Sequence, residues 1–594
     1  MKYSEVWDLE GFFPGGSESP QLRSHLDELH NKIDQFKSSE ASFHVPKQKD
    51  DSERVATFIE LSTEIILYLR QAGAFVSCLQ AQDMNDRKSD ALRGELTTYS
   101  ATFQNSFTSF QQKLSHTDEE VWHALLKDYR LQELSFVLNE WRDKAKDKLP
   151  SEQESLISSL AIDGYHGWGQ MYDTLVGSMK VEVEVDGETK TLSVGQANNL
   201  SSHKDEDVRR NVTHTLEKAW EEKEDMFART LNHLGGFRLQ TYEARGWKSV
   251  LKEPLEYNRM KEETLNAMWS AITKHQASFV QYLDRKAKLL GKDKLAWYDL
   301  DAPVSASTNT FSYQEGAEFI EKHFGQFGSQ MAEFARHAFK NAWIEAEDRP
   351  GKRPGGFCTL FPMSEESRIF MTYSGSMSNV ATLAHELGHA FHSYALRPKH
   401  MLNRNYAMNV AETASTFAEM IVADAAVKEA TSKDEKIALV EDKIQRSVAF
   451  FMNIYARFIF ETRFYQERKE GLVSATRLNE LMEEAQKEAY GNSLSEYHPR
   501  FWASKLHFYI TSVPFYNFPY TFGYLFSLSI YAKALEASEN YEEKYIDLLR
   551  DTAVMSVEDL AMKHLGEDIT KEEFWEKGVK LCVGDVEEFL SLTE

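Results

Sequence analysis

His385 and His389 stand four residues apart in the stretch TLAHELGHAFHSYA, residues 382–395, with Glu386 between them and His392 beyond. On a helix, positions four apart lie about 40° from one another, and Glu386 sits about 100° round from His385. Two neutral imidazoles one turn apart can coordinate a single Zn2+. The intervening carboxylate is then close enough to take a proton from water without being a ligand. The chemistry this spacing points to is metal-assisted hydrolysis. His392 does not extend the set: in the longer three-histidine pattern the glycine position falls on His392 and the last histidine position on Ala395. It reads as a packing residue or as a partner behind the ligands.

Such chemistry needs a helix to hold it. From Val380 to Leu396 no proline interrupts, Ser378 can cap the start and Pro398 stops the run, which predicts a helix of about 17 residues. Val380, Leu383, Leu387, Phe391 and Tyr394 would line its core side, with His385 and His389 opposite. A third ligand must come from elsewhere. The stretch NVAETASTFAEMIVADAA, residues 409–426, lacks Gly and Pro and predicts a second helix. Its Glu412 and Glu419 are seven residues apart on nearly one face, so spacing alone leaves both open.

HELGH followed 27 residues after its first histidine by the glutamate of VAETAS, with HFYITSVPFYNFPYTFGYL near the C-terminus, resembles the thimet oligopeptidase and oligoendopeptidase F family of zinc metallopeptidases. VWDLEGFFPGGSESPQL, GGFCTLFP and MTYSGSMSNVATLAHELGHAFHS follow the order of the oligoendopeptidase F branch, so the resemblance covers nearly the whole chain. It implies one Zn2+ per chain held by His385, His389 and Glu412, with Glu386 as general base. His507, Tyr516 and Tyr520 would face the scissile carbonyl. It further implies a mostly α, two-lobed, zincin-like fold around a deep substrate channel, and short unstructured peptides cut internally. One position departs: Thr372 stands where the branch often carries asparagine, so no substrate contact is implied for that side chain.

Composition agrees with a soluble helical enzyme. The 594 residues are 42% apolar and 12% aromatic, ample for more than one core. With 29 Gly and 13 Pro, turns are few. Cys78, Cys358 and Cys582 are far apart and odd in number, and MKYSEVWDLEGFF does not read as a signal sequence, so free thiols and a cytoplasmic location are expected. Cys358 reads as a small buried residue. A net charge of −25 argues against nucleic acid and membrane-surface partners; the oligomeric state is not encoded. From Leu506 to Ala532 no charged side chain occurs, but Pro514, Pro519, Asn517 and many hydroxyls make this a cleft wall rather than a membrane span.

Residues 20–178 read as a series of amphipathic helices, ended by KVEVEVDGETKTLSV, an alternating hairpin around Asp186 and Gly187. The hairpin marks a junction between an N-terminal helical domain, 1–195, and a catalytic domain, 196–594. GGFCTLF and RIFMTYSG read as strands just before the metal helix, a small sheet whose edge can pair with an extended peptide. Two other readings fit the same motif. A helical zinc carboxypeptidase would need a basic side chain in the cleft for the substrate's terminal carboxylate. A non-enzymatic peptide-binding protein would have no use for Glu386.

Overall fold

Where glycine and proline are scarce, helices run long. In the computed structural model, which describes residues 2–185, 187–305, 310–537 and 541–594, the N-terminal part is built on α1 (Pro20–Ala41), α2 (Ser52–Gln82) and α3 (Arg87–Ser115). Each begins in a defined way where a cap is present: the Ser19 hydroxyl accepts from Leu22 N–H, and Asp86 accepts from Lys88 and Ser89 N–H. Leu22, Leu26, Leu29, Ile33 and Phe36 form the buried stripe of α1. Phe36 meets Phe58 edge-on at 5.6 Å and Phe103 at 5.4 Å, giving this lobe an aromatic centre. Phe361 and Phe370, far along the chain, pack into the same core.

The hairpin forms as the alternation predicts. β1 (Lys180–Val185) and β2 (Glu188–Ser193) pair antiparallel from Lys180↔Ser193 to Val185↔Glu188, and Gly187 takes φ 79° in the turn; Asp186 lies outside the described residues. Val181, Val183 and Val185 point inward, toward α4 (Glu206–Glu221). They belong to the second core, which takes in chain from Tyr172 onward.

The second lobe carries a three-stranded sheet of order β3-β5-β4, with β3 (Ile344–Glu345), β4 (Phe357–Phe361) and β5 (Glu366–Phe370). β3 runs parallel to β5, and β4 pairs antiparallel with β5 from Phe357↔Phe370 to Phe361↔Glu366. β3 was not foreseen, because two residues carry no alternation to read. Then follow α5 (Met377–Ala395) and α6 (Thr413–Glu429), packed closely on each other. α7 (Lys433–Val448) continues through a π turn at Ala449–Asn453 into α8 (Ile454–Arg468), and α9 (Phe518–Glu536) packs against α10 (Glu572–Leu592). The uncharged stretch from Leu506 divides into a short 3-10 turn, a loop and α9, and no described helix is long and apolar enough to cross a membrane. The architecture is the mostly α, two-lobed one expected, with the small sheet beside α5.

Two boundaries differ from expectation. α5 is capped by Ser376, not Ser378: Ser376 is extended (φ −78°, ψ 156°) and accepts from Asn379 N–H, while the Asn379 side chain reciprocates. Ser378 already lies in the first turn. α6 starts at Thr413, because Met408–Val410 forms a separate 3-10 turn, leaving Glu412 at the N-cap.

Candidate active site

The core side of α5 is the expected one: Val380, Leu383, Leu387 and Phe391 are buried, each worth on the order of 1.5–3 kcal/mol of burial. Tyr394 is half-buried and stacks on Phe391. The opposite face presents His385 and His389, ring centroids 4.9 Å apart and nearly perpendicular. Glu412 is brought to them by close helix contact. A Cβ on Gly388 would lie 2.5 Å from the Ala414 carbonyl oxygen, and one on Gly523 of α9 would lie 2.8 Å from the Asn409 carbonyl and 3.0 Å from Glu412 Cβ. Only glycine at both positions lets α5 and α9 close on the Glu412 turn. The "G" of HELGH and of FGYL was the available signal for this, and spacing arguments passed over it.

Glu412 Oε2 lies 3.2 Å from His385 Nε2 and 3.5 Å from His389 Nε2. The three ligand atoms lie within 4.8 Å of one another, and among the described residues this is the one such cluster. A tetrahedral zinc with bonds of about 2.0–2.1 Å sets its ligand atoms roughly 3.3 Å apart, so the donor set and its spacing fit that ion. Glu419 stands on the far side of the same imidazole, its Oε2 3.1 Å from His385 Nδ1, and is itself paired with Arg446. A carboxylate there receives Nδ1–H and leaves Nε2 with its lone pair toward Glu412.

Electrostatics follow position. Burial pushes Glu386 up to about 7, with His385 opposing and Glu412 reinforcing. Burial also lowers His389 to about 4, so this imidazole is neutral near pH 7. For Glu412, burial alone would raise the carboxyl, but at low pH the protonated imidazoles, His385 by hydrogen bonding and His389 by charge, hold it at about 2. Ser415 Oγ donates to Glu412 Oε2 at 2.7 Å. His392 is fully buried, stacked on Tyr406 at 4.2 Å, its Nε2 2.8 Å from Thr552 Oγ1.

The cluster opens on a cavity of about 830 Å³ between the lobes, lined by Arg70 and Ser77 of α2, by Gly356–Leu360 including β4, and by Glu386, Tyr406 and Glu412. β4 has β5 on one side, and no described strand pairs with its other edge. Cys358 lies on this strand and lines the cavity, half-buried rather than wholly buried.

His507, Tyr516 and Tyr520 form a second cluster. The His507 and Tyr516 rings are 5.1 Å apart, and the Tyr520 hydroxyl donates to that of Tyr516 at 3.3 Å. The Tyr520 phenol is pushed upward chiefly by burial and by its bond to Tyr516, and it also feels the Glu412 charge. No hydrogen bond links the clusters among the described residues. Phe515 is in the left-handed region at φ 51°, a conformation costly for a bulky residue, and its backbone bonds the buried Glu461. That turn presents Tyr516. Tyr509 is elsewhere, buried and stacked 3.9 Å from Tyr172.

Residues 199–581 match the model of Peptidase family M3, and residues 113–180 match that of Oligopeptidase F. The chain is 23% identical over 609 residues to oligoendopeptidase F, chromosomal, of Lactococcus lactis subsp. cremoris, covering 99% of this chain and 97% of that one. It is 22% identical over 610 residues to oligopeptidase PepF of Bacillus subtilis (strain 168), covering 100% and 88%. The fold is similar to that of oligoendopeptidase-F from Enterococcus faecium, with a TM-score of 0.69, 19% identity and coverage of 96% and 98%.

Proposed function

The chain belongs to peptidase family M3, and on that premise we propose that it is a zinc-dependent oligoendopeptidase that hydrolyses internal bonds of short unstructured peptides. The observation that carries this reading is the convergence of His385 Nε2, His389 Nε2 and Glu412 Oε2 on one point, with Glu386 beside them and the free edge of β4 on the same cavity. A peptide laid antiparallel on that edge would have its backbone groups satisfied and its scissile bond held over the cluster.

His385, His389 and Glu412 would hold the zinc, which supplies activation of water at neutral pH and polarisation of the scissile carbonyl. Glu386, raised by burial, takes the water's proton and delivers it to the leaving amine. Glu419, backed by Arg446, orients His385. Arg457 Nη1 lies 3.4 Å from His507 Nδ1. A guanidinium can only donate, so Nδ1 is the acceptor and Nε2 carries the ring proton, free to donate to the developing oxyanion. Burial, Arg457 and Lys505 lower His507 to about 4, keeping it a neutral donor. Tyr516 and Tyr520 supply further hydroxyl donors.

The family match begins at residue 199 and supports a catalytic domain at 196–594; within 1–195, α2 covers the cavity, while the chain from Tyr172 through the hairpin packs into the second core. The thiols of Cys78, Cys358 and Cys582 are free, which suits the cytoplasm. The test is incubation of the zinc-loaded protein with a mixed peptide library and mass spectrometry of the products. Internal fragments establish the endopeptidase; stepwise loss of C-terminal residues would replace it with a carboxypeptidase.

A further inference from the structure

Behind His507 lies a second cavity, of about 460 Å³, between α4, the π turn before α8 and the segment from Tyr490 to Lys505. Two cations line it. Arg457 spends Nε on Asn453 Oδ1 at 2.8 Å and Nη1 on Asn517 Oδ1 at 2.9 Å, both neutral acceptors, and its Nη2 has no hydrogen bond to a described residue. The Lys505 ammonium lies over the Phe501 ring, 4.7 Å from its centroid, and the Arg457 guanidinium lies 5.2 Å from the same ring. Neither is within ion-pair distance of a described carboxylate. Asp301 is the one acid among the described lining residues, and it is solvent-exposed. Lys286 and Lys443, by contrast, are matched to carboxylates, Lys286 to Glu441 at 2.9 Å and Lys443 to Asp424 at 2.7 Å. Two cations sharing one ring, with Asp301 on the same cavity but beyond ion-pair distance, in a molecule carrying −25 overall, leave an anion's place open.

We propose that this cavity receives a carboxylate of the peptide substrate, bound between Lys505 Nζ and Arg457 Nη2. The proposal rests on the peptidase reading for the identity of its ligand. Through Arg457 the cavity adjoins His507 and hence the tyrosine pair, the groups that the peptidase reading sets against the scissile carbonyl. The carboxylate is either the free C-terminus or an acidic side chain, since both offer the same two oxygens to ammonium and guanidinium.

The test is calorimetric binding to the zinc-loaded Glu386→Gln protein, which does not turn the peptide over, of one peptide as free acid, as C-terminal amide, and as amide with an added glutamate. Binding of a carboxylate-bearing form about tenfold tighter than the plain amide is expected. Comparison of the first and third peptides identifies the source. Lys505→Met, which keeps the stem on Phe501, should abolish the preference, and Lys505→Arg should retain it. Equal affinity for all three peptides, or a preference untouched by Lys505→Met in a variant with native melting temperature, overturns the proposal. Because binding is read without turnover, absence of hydrolysis by the unaltered enzyme would sink the peptidase reading separately.

Discussion

His385 is held between two acids, with Glu412 Oε2 3.2 Å from its Nε2 and Glu419 Oε2 3.1 Å from its Nδ1. One ring nitrogen faces His389 and the cavity, the other faces Arg446 through Glu419. The two acids, equivalent by spacing, thus have different tasks. Glu412→Ala should abolish tight metal binding, whereas Glu419→Gln should weaken it by about 10–100-fold, as loss of an orienting partner does. Metal titration against a chelator reads both; equal affinities would mean that the ligand assignment is wrong.

On the proposed mechanism Glu386 carries the proton and is not a ligand. Glu386→Gln fills the same space without accepting a proton, so zinc content should stay at one per chain while kcat falls by roughly 10²–10⁴-fold. Loss of the metal in this variant would make Glu386 a ligand.

The tyrosines separate by their hydroxyl partners. Tyr516→Phe should lower kcat by about 10²-fold with little change in KM if its hydroxyl meets the oxyanion. Should Tyr520→Phe carry that loss instead, the donor role passes to Tyr520. Tyr509 is the control: its hydroxyl is buried with no partner among the described residues, so Tyr509→Phe should leave kcat unchanged and raise stability by up to about 1–3 kcal/mol. Thermal unfolding checks the second half.

Gly388 sets the distance between α5 and the Glu412 turn. A methyl there meets Ala414 O at 2.5 Å, so Gly388→Ala should cost about 1–3 kcal/mol of stability and also weaken zinc binding, although alanine is the better helix former. A stabilised variant with unaltered metal affinity would show that the close approach is not required.

Lys505 gives the second cavity a pH signature. Burial first, then Arg457, push its ammonium down to about 8, with Asp301 partly opposing. Below that value it is charged and above it neutral, so the preference for carboxylate-bearing peptides should be strong near pH 6.5 and largely lost by about pH 9.5. Bound carboxylate shifts the midpoint upward. His507, already neutral above about 4, contributes nothing to that change. A preference constant across this range would place the charge elsewhere.

What the sequence determined by itself was everything carried by short spacing. The four-residue step between His385 and His389, the apolar stripe from Val380 to Phe391, the hairpin around Gly187 and the strands before α5 are properties of a few consecutive residues, and local periodicity encodes them. The tertiary structure decided what depends on residues far apart. Glu412 and Glu419 share a face in sequence, and only the approach of α5 and α9 at Gly388 and Gly523 sets one against Nε2 and the other against Nδ1. Likewise Arg457 and Lys505 are 48 positions apart and look like ordinary surface cations in the sequence. Packing places both on one Phe501 ring with no described carboxylate at ion-pair distance, because ion pairing and desolvation are set by three-dimensional neighbours and leave no periodic trace along the chain.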